Sequence, residues 1–206
     1  MFAALLILLA AQEKKTVEDW FKSVPEATRQ PLLEKVEEKL KALESSKPAD
    51  PKEIQKDEVW KVGLGVSDLV RELKWNEYRP ILLMALKGRK GRSAAAVLHA
   101  LQVKAASETL FGKERLKEYG ALDNFSVRLY APYVSDSDVL ARWTAVRLLA
   151  HYLPDLDLKP LGGGEWVDTL TKESKELVKK ALTSALKDPG DEIRKIAKDA
   201  LEESKE

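Results

Sequence analysis

The chain has no cysteine and only two histidines in 206 residues. Without thiols there can be no disulfide, no thiolate nucleophile and no Cys-ligated metal, although this absence does not assign a compartment. His99 and His151 have no second His or carboxylate at metal-ligand spacing, and no His-Glu-x-x-His motif occurs. No Gly-x-Ser-x-Gly elbow singles out a serine as nucleophile. Gly63-Leu-Gly65 lacks the third glycine of a dinucleotide loop, Asp68 standing in its place, and no Lys-Ser/Thr follows as in a phosphate loop. That segment therefore reads as a turn. An excess of charge of one sign is also missing: 35 basic and 34 acidic residues give a net charge of +1. This balance argues against a chain that coats nucleic acid or an anionic membrane. Carboxylates are plentiful but interleaved with lysines on helical faces, so no acid/base pair can be nominated from spacing alone. No catalytic residue, metal or cofactor is implied.

Long apolar runs are scarce too. The longest is Phe2–Ala11, ten residues ending at Gln12-Glu-Lys-Lys. A membrane-spanning helix needs roughly 20 apolar residues, so this run is too short to cross. Its length is that of a signal-peptide apolar region, with Ala10-Ala11 as a cleavage end, although no Lys or Arg precedes it. The expectation is an exported chain, periplasmic or secreted, with residues 1–11 removed. The alternative is a cytoplasmic protein whose N-terminal helix packs on the core.

Residues 12–75 are expected to form an N-terminal helical cap. Thr16–Phe21 reads as a short helix anchored by Trp20 and Phe21. Ser23-Val-Pro25-Glu26 has the form of a capping box for the next helix. Leu33, Val36, Leu40 and Leu43 recur at helical spacing opposite a Glu/Lys-rich face. Two prolines, Pro48 and Pro51, mark a linker near 45–53. A further helix is expected at about 67–75.

Beyond residue 76 the chain repeats itself. Asp188-Pro-Gly enters a segment in which Ile193, Ala197, Ala200 and Leu201 form one helical stripe. Asp136 through Leu149 show the same pattern. Arg92, Arg142 and Arg194 are separated by 50 and 52 residues, and Ala95, Ala145 and Ala197 each lie three positions further on. Hairpins are expected at about 76–105, 123–152 and 173–204, with an extra short helix at 107–120 and an irregular loop at 153–164. A single hairpin cannot bury its apolar face alone, so neighbours must stack.

The segment Asp188, Ile193-Arg194, Ala197 and Ala200-Leu201 resembles a HEAT or HEAT-like repeat. Asp136, Ala141-Arg142, Ala145 and Leu148-Leu149 form a second copy. Arg92, Ala95 and Leu98 form a degenerate first copy, in which Leu86 replaces the Asp and His99 falls where a Leu is expected. The resemblance covers about residues 76–204. It implies an all-α fold, an α–α superhelix or solenoid of stacked hairpins behind the N-terminal cap. It also implies that Asp136, Arg142, Asp188 and Arg194 brace adjacent repeats, while Ala145 and Ala197 let helices approach. HEAT-like stacks include DNA-alkylation-repair glycosylases and bilin lyases, so the resemblance admits an enzyme as an alternative.

Two surface features stand out. Lys87, Arg89, Lys90 and Arg92 place four cations in six residues within a turn, beside glycines that would let the backbone approach a phosphate. If all four met phosphates, log affinity would fall against log salt with a slope of about −3.6. The competing reading is a solvated turn. Trp143, Arg147 and His151 recur at steps of four on one helix. They are expected either to face a partner or, through Trp143, to pack on the 107–120 insert. His99 is expected to be a buried, hydrogen-bonded core residue. The expected function is a non-catalytic interaction scaffold presenting a curved surface to a protein partner. A purely structural exported protein is the other alternative.

Overall fold

The computed structural model describes residues 15–44, 46, 57–108, 116–153 and 170–204. The leader at 1–11, most of the linker at 45–53, the centre of the 107–120 insert and nearly all of the loop at 153–164 lie outside these residues. The described chain is all-helical, with no strand. Its helices are α1 (Val17–Lys22), α2 (Glu26–Glu44), α3 (Glu58–Leu69), α4 (Trp75–Leu86), α5 (Gly91–Glu108), α6 (Leu116–Tyr130), α7 (Val139–Ala150), α8 (Lys172–Ala185) and α9 (Asp191–Glu203). A 3-10 helix, Ala131–Ser135, continues α6. Pro132 lacks the N–H that would carry the α-helix through that stretch, which is why α6 tightens after Tyr130.

The helices pack in two rows. α2, α4, α6 and α8 touch one another in chain order, and so do α3, α5, α7 and α9. The repeated alanines make the second row close-packed: Ala95, Ala145 and Ala197 are all fully buried, as are Ala94, Ala96 and Ala141. The α2–α3 pair from the N-terminal region packs in these same rows. Val36, Leu40 and Leu43 form its buried stripe, with Leu33 partly covered. α1 caps the end against α4, with Trp20 and Phe21 buried.

Three local expectations are corrected. The helix expected at 67–75 is displaced to Glu58–Leu69, so Gly63 and Gly65 lie inside a helix, not in a turn. Asp57 starts it, accepting the Val59 N–H at 2.9 Å. Gly63 is needed for close approach: a Cβ there would stand 2.8 Å from both the Ala96 carbonyl oxygen and His99 Cδ2. The capping box belongs to Thr16 and Asp19, which satisfy each other's backbone at the start of α1. Ser23 instead caps the end of α1, its hydroxyl donating to the Trp20 carbonyl. The insert is not a separate helix at its ends, since α5 runs on to Glu108 and α6 begins at Leu116.

Candidate functional site

The turn before α7 and the turn before α9 are chemically superimposable. Asp136 Oδ1 accepts the Asp138 N–H at 2.8 Å, and Asp188 Oδ1 accepts the Gly190 N–H at 2.7 Å. Arg142 Nη1 donates to the carbonyls of Asp136 and Ser137 at 3.0 and 3.1 Å. Arg194 Nη1 does the same to Asp188 and Pro189 at 2.6 and 3.0 Å. Each arginine thus closes its own turn. Arg142 Nε also reaches forward to Asp188 Oδ2 at 2.7 Å, and Asp136 reaches back to accept the Gly91 N–H at 3.2 Å. Asp136, Arg142 and Asp188 thus tie consecutive hairpins together, whereas Arg194, among the described residues, bonds only within its own turn, short of the expected bracing between repeats.

The turn with Lys87, Arg89, Lys90 and Arg92 is a junction. Lys87 pairs with Glu18 of α1, Arg89 with Glu37 and Glu44 of α2, and Arg92 with Asp57 and Glu58 at the start of α3. Tyr133 donates its hydroxyl to the carbonyls of Leu86 and Arg89, each at 3.0 Å. Burial pushes that phenol up to about 12, so it stays a donor. The glycines serve the turn itself: Gly88 and Gly91 have φ of 74° and 60°. A shallow depression of about 240 Å³ borders the junction, lined in part by Glu44, Lys90, Arg92 and Asp138. Three of the four cations are matched by carboxylates, so a polyanion would meet Lys90 alone. The salt slope then falls from about −3.6 to about −0.9.

The other sequence-predicted cluster opens differently. Trp143, on α7, is partly exposed and packs on Trp60 of α3, with ring centroids 5.3 Å apart. Trp60 in turn meets the His99 ring of α5 edge-on at 4.8 Å. Arg147 is exposed and stacks over the Trp143 ring at 4.5 Å. His151, one turn further, is exposed. The ring partner seen for Trp143 is therefore Trp60, which sequence spacing did not single out. His99 is half-buried, and its Nδ1 and the neighbouring Gln102 Oε1 lie outside full hydrogen-bond geometry. Burial lowers the proton affinity of His99, Gln102 partly opposes this, and Arg147 adds to the lowering.

A third cluster had no sequence signal. Arg79 of α4 pairs with Asp123 of α6, both buried, and Tyr152 approaches Asp123 Oδ1 at 3.4 Å. Burial lowers the proton affinity of Arg79, but Tyr152 and Asp123 more than offset that and hold the guanidinium charged. Burial pushes the adjacent Tyr130 phenol up to about 12. This network clamps the first row from inside, because an unpaired charge there would be far costlier than the pair. Among the described residues no group of His, Asp and Glu is placed to hold a metal, and no helix is long and apolar enough to cross a membrane.

Compared with known proteins, the chain matches no family profile, no curated protein and no solved structure.

Proposed function

We propose that this protein is a non-catalytic interaction scaffold, an α–α superhelix of HEAT-like hairpins behind a helical cap, whose second row of helices faces a protein partner. The observation that carries this reading is the contrast in ring and charge environment along that row. Trp60, Trp143 and Arg147 gather at one exposed place, whereas the ladder residues Asp136, Arg142, Asp188 and Arg194 are consumed in bracing or in closing their own turns. Tryptophan and arginine are the side chains that most often anchor protein interfaces. Fold alone does not fix function, so the support lies in this site and not in the stacking.

Crosslinking of native protein followed by mass spectrometry tests the reading. Crosslinks from one partner should concentrate on exposed residues of α3, α5 and α7. Recovery of no specific partner, or crosslinks scattered over both rows, would contradict it. Export belongs to the same proposal and rests on Phe2–Ala11 alone. The intact mass of the secreted protein checks it: a mature chain retaining Met1 rules out cleavage at Ala11.

A further inference from the structure

We propose that the face around Trp60, Trp143 and Arg147 docks a protein segment that offers one carboxylate beside an apolar side chain. This rests on the scaffold reading and names the chemistry of its partner. Arg147 is exposed, and among the described residues no carboxylate pairs with it, its contact being the Trp143 ring. That sets it apart from Arg79, Arg89, Arg92 and Arg142, each of which meets an Asp or Glu. A guanidinium resting 4.5 Å above an indole centroid engages the ring by its charge and still has N–H donors for a carboxylate, which it can receive through two parallel hydrogen bonds.

The surroundings supply the apolar half. Leu64 lies one helical turn beyond Trp60 on α3 and is 48% exposed, one of only two large hydrophobic residues so exposed among the described residues. Trp143 adds an indole Nε1 that is shielded from water and has no hydrogen-bond partner. Such atoms are uncommon in folded proteins, and a peptide carbonyl reaching the indole edge after a small side-chain shift would satisfy it. The same face suits a nucleic acid poorly. A phosphate backbone needs a track of free cations, and three of the four in the only such cluster of the sequence are paired with carboxylates.

Panning a random peptide library displayed on phage against the wild-type chain and against Arg147→Glu provides the test. Wild type should enrich peptides with Asp or Glu next to Leu, Ile or Phe. A synthetic consensus peptide should bind Arg147→Glu at least about tenfold more weakly, and exchanging its acid for Lys should restore binding to that variant. Thermal unfolding of Arg147→Glu should match wild type, so lost binding cannot be lost folding. Four outcomes overturn the proposal: no enrichment, enrichment of acid-free peptides, equal binding by the variant, or an Arg147-dependent complex with oligothymidylate at low salt. Self-association that Arg147→Glu abolishes overturns it as well, by giving the face to a second copy. A native partner crosslinked to the second row but away from Trp60, Trp143 and Arg147 defeats this site but leaves the scaffold standing. Peptides docking here without any native partner do the reverse.

Discussion

The Lys87–Arg92 turn and the α3–α5–α7 face are both rich in groups that recognise partners, yet they end in opposite states. In the turn, Arg89 and Arg92 are drawn inward by Glu37, Glu44, Asp57 and Glu58, which come from helices far away in sequence. On the face, Arg147 lies on a tryptophan bed and keeps its charge toward solvent. The number of cations in a stretch of sequence therefore says little about available charge. What matters is whether the fold delivers carboxylates to the same place. The turn uses its charge to hold α1, α2 and α3 to α4 and α5, while the face retains one charge that no described carboxylate meets.

The sharpest way to expose that difference is to remove embedded and free cations in turn. Arg79→Met should be the most damaging, because it strands Asp123 in the interior. A loss of about 3–5 kcal/mol is expected in urea unfolding. Adding Asp123→Leu to it should recover much of the loss, and no recovery would mean the pair is not an isolated clamp. Next in size is the close approach of α3 and α5 that brings Trp60 onto His99. Gly63→Ala should cost about 1–3 kcal/mol, since its Cβ would collide with the backbone of Ala96. Gly65→Ala is the control. Its Cβ would meet only the flexible end of Lys39 at 3.3 Å, so melting should be unchanged or raised.

A smaller effect concerns His99. Its folded proton affinity is lowered, chiefly by burial, below the ordinary value of 6.5. The unfolded state therefore binds the proton first as pH falls. The stabilising contribution is complete above pH 6.5 and is lost as pH drops toward the lowered folded value. Unfolding midpoints should decline over that window, and His99→Gln should flatten the decline. The smallest effect belongs to the face itself. Arg147→Ala should change stability by no more than about 0.5 kcal/mol, the range expected of exposed substitutions. A larger loss would mean that Arg147 braces the fold as the turn arginines do.

Much of the all-helical architecture was legible because its signals are local. The buried stripes through Ala145 and Ala197 follow helical periodicity, whereas Arg142 and Arg194, expected to brace adjacent repeats, also bond carbonyls five and six residues away in their own turns. The α2–α3 hairpin was harder to see. Its starting Asp57 has no arginine partner nearby, because that partner is Arg92, and Gly63 resembles a turn residue until the neighbouring helix is in place. The site was half legible. Trp143 and Arg147 share a helix and a spacing, but Trp60 reaches them from α3, two helices back along the second row. Arg79 and Asp123 are 44 residues apart, with nothing between them to announce the pair. Partners chosen by tertiary packing leave no mark in a short window of sequence.

Arginine-selective modification of the native protein by phenylglyoxal, mapped by mass spectrometry over time, tests the contrast most directly. Arg147 should react early, in the company of exposed Arg71, whereas Arg89, Arg92 and Arg142 should remain protected until the protein unfolds. Modification of Arg89 and Arg92 as fast as Arg147 would contradict the account, since the turn would then be as free as the face.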